Sequence, residues 1–270
     1  MASYRQPRMP RMALLLAVVL GLCGTAAQAA EADRIYLRFE VSGGPGLHVL
    51  TVRVTVDQST ESYAIAVIAE TRGVADVFAD LRSRLEVRGK ISAGALSPEL
   101  MQAETHRRGA DLATRIDYGA DGAVRAVATP PPNNPVTPVT SAQMRGTVDQ
   151  MTAYLALARH LGRKSSCALA LSVFDGRRRY DLSFSDLASE TRSEFSTPLQ
   201  VCGMARQRIA GFPVAQPGKE ASDRGKLYFG RLLPGDLAVP VRLEFDSEFG
   251  IFTAHLAELR GRGIDLRFTE

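Results

Sequence analysis

Along most of the chain, apolar and polar positions alternate strictly. Ile35, Leu37, Phe39 and Val41 alternate with Tyr36, Arg38 and Glu40. After Gly43-Gly44-Pro45-Gly46, Leu50, Val52, Val54 and Val56 alternate with Thr51, Arg53 and Thr55. A period of two broken by a glycine-rich turn predicts a hairpin with one buried face. The run Tyr63–Ala69 is apolar on both faces, so it predicts a strand covered by a second layer. Leu81, Ser83, Leu85, Val87 and Ile91 then alternate with Arg82, Arg84, Glu86, Arg88 and Lys90. Shorter strands are expected at 100–106, 112–118 and 124–128, the last two joined through Asp121-Gly122.

The pattern changes at Thr147. Val148, Met151, Leu155 and Ala158 recur at helical spacing, with Thr147 as N-cap and Gly162 just past the end. Asp149, Gln150 and Arg159 take the opposite side, which predicts a surface helix laid on the sheet by one face, and Tyr63–Ala69 is the strand it would cover. Downstream, Asp175-Gly176 lies between two β-rich runs and predicts a two-residue hairpin turn. That turn sets Phe174 against Arg177, Leu171 against Tyr180, Leu169 against Leu182 and Cys167 against Phe184. Further strands are expected at 201–209 and 227–232. A closing hairpin runs from Val241, Leu243 and Phe245 through a turn at Phe249-Gly250 to Phe252, Ala254 and Leu256.

Two stretches break the alternation without forming strands. Residues 73–80 read as a short helix or an irregular crossover, and the prolines within 129–146 impose an extended connection. Neither half of the chain has a closed set of strands, so this connection is a crossover rather than a domain linker. The expected fold is mainly β: a strongly curved, partly closed antiparallel sheet with one or two helices packed on it, in a single β-rich domain over 30–270.

The first residues change the compartment. Arg5, Arg8 and Arg11, an apolar run from Met12 to Leu22, and Ala27-Gln28-Ala29 form a secretory signal peptide over 1–29, cut after Ala29. Leu22 before Cys23 is the wrong residue for lipid attachment. The expected location is the periplasm, and the mature chain has no run long enough to span a bilayer. The whole chain carries 33 basic and 29 acidic residues, three of the basic ones in the leader, so the mature net charge is +1 and nucleic-acid binding loses its main support. The mature chain keeps Cys167 and Cys202, expected to be disulfide-bonded in that compartment; a zinc or redox pair lacks a CxxC and an adjacent histidine. The stripe Arg82, Arg84, Arg88 and Lys90 reads as a solvated strand face, with contact to anionic headgroups or an acidic partner as the functional alternative.

Recognisable chemistry is sparse. His48, His106, His160 and His255 are dispersed, without HExxH, and no G-x-S-x-G elbow, P-loop or G-x-G-x-x-G occurs, so no metal and no cofactor are expected. Asp175 is explained by its turn and Asp181 by its outward register. Val148-Asp149-Gln150-Met151, the run Val173 to Leu182, Cys202, Ile209-Ala210-Gly211-Phe212, Pro240-Val241-Arg242 and Phe249-Gly250 resemble, in order and content, the exported bacterial proteins grouped as domain of unknown function 3108. The resemblance implies a periplasmic protein with a curved sheet similar to the lipoprotein-carrier folds, and it carries over no catalytic residues. The expected function is that of a non-enzymatic envelope protein binding a lipid-like or apolar ligand, or a protein partner, on the concave sheet face. Ile65, Val67 and Val87 are the candidate ligand-binding residues. The alternative is a secreted hydrolase whose site is assembled only in three dimensions.

Overall fold

The computed structural model describes residues 33–44, 46–73, 80–131, 137–213, 223–235, 237–247 and 250–268. The expected leader and its cleavage site, most of the 73–80 crossover, and Phe249 lie outside the described residues. Fourteen strands follow in order: β1 (Arg34–Gly43), β2 (Leu47–Gln58), β3 (Ser62–Thr71), β4 (Leu81–Ser92), β5 (Ala95–Arg107), β6 (Ala110–Tyr118), β7 (Val124–Thr129), β8 (Leu169–Phe174), β9 (Arg179–Asp186), β10 (Gln200–Ala210), β11 (Arg224–Gly230), β12 (Val239–Ser247), β13 (Gly250–Gly261) and β14 (Ile264–Arg267). Between β7 and β8 come α1 (Ser141–Met144) and α2 (Gln150–Lys164).

All the strands belong to one antiparallel sheet in the order β7-β6-β5-β4-β3-β2-β1-β13-β12-β11-β10-β9-β8, with β14 added to β13. Two meanders are thus joined where β1 pairs β13. Bulges between Arg38 and Phe39, Arg88 and Gly89, and Tyr228 and Phe229 add the local twist that curls such a long sheet. The two arms fold toward each other, and the β8–β9 turn reaches the opposite arm. There a Cβ on Gly176 (φ +91°) would lie 2.1 Å from Thr114 Cγ2 of β6, and Arg177 Nη2 donates to the Thr129 carbonyl at 3.3 Å. The edges approach without closing the sheet. Val148 instead covers β8, its N–H donating to Ser172 O and its carbonyl accepting from Phe174 N.

The helix begins and ends differently from the expectation. Asp149, not Thr147, is the N-cap, accepting from Thr152 N at 2.9 Å, while the Thr147 hydroxyl donates to Met144 O. Gly162 is inside the helix, which ends at Ser165 in the left-handed region (φ +53°), with Arg163 and Lys164 in its last turn complementing the helix dipole. Nor is α2 a surface helix. Ala153, Leu157, Ala158 and Leu161 pack with Val173, Leu182, Leu227 and Phe229 of one arm, and Leu155 packs with Ile65, Val87, Met101 and Ile116 of the other. The curled sheet wraps the helix, so both of its sides are buried. Each such leucine contributes roughly 1.5–3 kcal/mol by leaving water. The run Tyr63–Ala69 gains α2 as a second layer on one face only, at Tyr63 and Ile65. The Tyr63 ring lies against Gly89, where a Cβ would be 2.5 Å away, and its hydroxyl bonds Thr152 Oγ1 at 2.8 Å. Ala66 and Ile68 on the other face are exposed, against the expected cover.

The hairpin around Asp175 keeps its faces but shifts its register by two residues. Phe174 pairs with Arg179, Leu171 with Leu182 and Leu169 with Phe184. Asp175 Oδ1 accepts from the backbone N–H of both Arg177 (2.9 Å) and Arg178 (2.7 Å), which organises a four-residue loop in place of the two-residue turn. Cys167 and Cys202 form the disulfide, with Cα atoms 5.6 Å apart. Their segments are not adjacent strands, because β9 lies between β8 and β10. The staple arches over the end of β9, where Asp186 accepts the Cys167 N–H at 2.7 Å.

Candidate ligand-binding face

In a meander the connections fall alternately at the two ends of the sheet. One end carries the turns near 43–47, 107–110, 174–179 and 247–250; the other carries those near 58–62, 92–95 and 118–124. Cross-strand register identifies the positions that point inward: Val56, Ile65, Val87, Met101 and Ile116 form one row, and Val54, Val67, Leu85, Ala103 and Thr114 the next. The first row is buried. In the second row, and beyond it at Val52, Ala69, Ser83 and Leu112, every inward side chain is only partly buried. The other arm repeats the gradient: Val241 is buried, then Leu243 and Phe245 are partly exposed; Leu256 and Ala254 are buried, then Phe252 is partly exposed. α2 fills the interior at one end and leaves the inward wall open at the other.

The expected ligand residues divide along this line. Ile65 (4% exposed) and Val87 (1%) lie under Leu155, whereas Val67 is the first residue past the helix.

Sequence reasoning missed two residues on the open wall, Arg206 and Arg208. They follow Cys202 and Met204 at a spacing of two and pair across to Leu182 and Tyr180, both buried on the inward face of β9. Arg206 lies 5.6 Å from the Tyr180 ring centroid, and Arg178, Arg206 and Arg208 lie 5.6, 5.9 and 5.3 Å from that of Phe212. Tyr180 meets Phe212 edge-on at 6.4 Å. Asp223 accepts from Arg206 Nε at 2.7 Å and Arg208 Nε at 2.5 Å. The signal was available: on one face of β10 the inward residues change midway from apolar to basic.

Around the α2 N-terminus lies a buried polar chain. Tyr63 OH meets Thr152 Oγ1, which donates to Asp149 Oδ2 at 2.5 Å, and Tyr180 OH donates to Gln150 Oε1 at 3.2 Å. Burial raises the pKa of Asp149 and of the Tyr63, Tyr118 and Tyr180 phenols. This chain anchors the helix.

The outer face carries the other titratable groups. His106 bonds Asp111 through Nδ1 at 2.7 Å and lies 3.2 Å from Asp80 through Nε2, an arrangement that raises its pKa chiefly through the Asp111 bond. With a carboxylate on each ring nitrogen, His106 in this arrangement has no free ring nitrogen to act as a base. It borders an open groove of about 610 Å³ lined by Glu70, Arg82, Arg84, Glu104 and Asp111. The basic stripe is interleaved with acids: Arg82 with Asp80 at 3.6 Å, Arg84 with Glu86 at 2.8 Å and Lys90 with Glu99 at 2.6 Å. Arg88 is exposed between Ala64 and Leu100. Among the described residues no group of three or more His, Cys, Asp or Glu could hold a metal ion, and no helix is long and apolar enough to cross a membrane.

A single antiparallel sheet curled around one helix and open along one seam defines the class: a barrel-like β protein with a filled and an open end. The chain belongs to the family described as protein of unknown function DUF3108, whose profile matches residues 35–257. The crystal structure of a β-barrel-like protein of domain of unknown function DUF1849 from Brucella abortus is similar, with a TM-score of 0.48 at 10% identity over 86% of this chain and 98% of that one. Among curated proteins none matches the chain.

Proposed function

We propose that this is an exported envelope protein that binds a lipid-like ligand on the inward face at the open end of its sheet. Val67 stands at the centre of the site, next along the strand from the helix-covered Ile65 and beside Leu85, and Ile65 and Val87 support it from beneath the helix. The observation that carries the reading is the gradient of burial along the inward rows: Val52, Val54, Val67, Leu85, Leu243, Phe245 and Phe252 point inward like core residues yet stay partly exposed. A contiguous apolar wall left open to solvent marks a binding surface more often than chance exposure. The Cys167–Cys202 disulfide supports export, since such bonds persist in oxidising compartments.

The test is titration of the leaderless protein with the neutral apolar dye N-phenyl-1-naphthylamine. Saturable fluorescence enhancement is expected, weakened about tenfold or more by Val67→Asp, which places a charge on the wall. Absence of saturable binding, or equal binding by a folded Val67→Asp variant, would overturn the reading.

A further inference from the structure

The open wall is not uniformly apolar, and its exception is cationic. Arg206 and Arg208 occupy inward positions on β10, next along the strand from Met204, and Met204 and Phe212 pack against the same core as Leu243. Arg206 is partly buried there, and Arg178 and Arg208 are exposed at its rim. Asp223 supplies one carboxylate, shared by Arg206 and Arg208, while Arg178 forms no ion pair among the described residues. All three guanidiniums lie within 5.3–5.9 Å of the centroid of one ring, Phe212, and stacking on an aromatic face fixes where the planar donors point.

Resting on the proposed function, we infer that the ligand is an anionic amphiphile, its acidic head group held by Arg178, Arg206 and Arg208 beside Phe212 and its hydrocarbon chain lying along the apolar wall. Planar guanidinium forks match an oxyanion, carboxylate or phosphate alike. The mature chain is close to neutral overall, so this concentration of arginine is a local feature rather than a reflection of global charge. Asp223 orders the arginines when the site is empty and competes with the head group for them.

The experiment uses displacement of the neutral dye from the leaderless protein. Palmitoleate should displace it at a concentration at least about tenfold lower than palmitoleate methyl ester, the weight of one charge-assisted hydrogen bond. Arg206→Gln should bring that ratio close to one with its urea midpoint unchanged, and Asp223→Asn should raise it. Lysophosphatidylglycerol binding more tightly than palmitoleate identifies a phosphate head, and the reverse a carboxylate. A ratio near one in the native protein, or a ratio unchanged by Arg206→Gln, overturns the head-group assignment. Calorimetric titration with octyl phosphate separates the two readings. Its binding without dye binding overturns the apolar-wall reading alone, and failure of both overturns both.

Discussion

The two ends of the inward face are built from the same residue types and differ in what lies against them. At the filled end Ile65, Val87, Met101 and Ile116 meet Leu155 of α2 and are 0–4% exposed. Two to four residues further along the same strands, Val67, Leu85 and Leu112 have the same inward orientation and remain partly exposed. Alternation decides only which way a side chain points; burial requires a second layer, and a 15-residue helix covers part of a sheet with strands of up to 13 residues. The open end is also where charge is admitted to the inward face, at Arg206 and Arg208.

The largest expected effect belongs to the filled end. Cys167 and Cys202, 35 residues apart, close a loop whose loss should cost about 4 kcal/mol in the chain-entropy model. The double variant Cys167→Ala/Cys202→Ala should lower the urea midpoint accordingly while leaving dye binding at the open end intact. Loss of dye binding in a folded variant would mean that the two ends are not independent.

A smaller contrast tests the comparison itself. Leu155→Ala should cost about 3 kcal/mol, since it opens a cavity between the helix and Ile65 and Val87. Val67→Ala, which removes side-chain atoms already in contact with solvent, should cost about 1 kcal/mol or less. Equal losses in chemical denaturation would show that the open wall is covered after all.

Much of this architecture was legible as alternation. The opening hairpin, the β6–β7 turn at Asp121-Gly122, the disulfide and the curved sheet follow from local pattern. Register was less so, because Asp-Gly fits a two-residue turn while the Asp175 carboxylate, by binding two successive N–H groups, stabilises a longer loop. A two-residue slip leaves every side chain on its face, so the apolar pattern could not have revealed it. The helix was misplaced on the surface because the polar residues on its second side read as solvent-facing; Asp149 and Thr152 in fact satisfy each other and Tyr63 inside the sheet. Arg206 and Arg208 were passed over because basic residues near a strand end read as solvated.

The smallest effect is one of pH, and it sets two carboxylates against each other. Asp149, 1% exposed, caps α2 inside the fold, and Asp186 accepts the Cys167 N–H and the Ser166 hydroxyl at the exposed end of β9. Burial raises the Asp149 pKa, outweighing its bonds to Thr152; the backbone bond from Cys167 is the main cause lowering that of Asp186. A raised carboxylate pKa means that the native state holds the proton more tightly than the unfolded chain. The Asp149 contribution is therefore greatest below the unfolded value and is lost as pH rises through the folded one. Asp186 behaves oppositely, its contribution being present above the unfolded value and lost as pH falls through the folded one. Asp149→Asn, which keeps an acceptor for Thr152 N, should accordingly gain stability relative to the native protein between pH 4 and pH 7, while Asp149→Ala loses the cap and about 1 kcal/mol. Asp186→Asn should fall relative to the native protein as pH rises from about 2 to about 4, the window below the ordinary carboxylate value, and hold level above it. Urea denaturation of the native protein and the three variants at about pH 2, 4 and 7 measures this, and parallel pH profiles for the two Asn variants would show that burial does not separate these carboxylates.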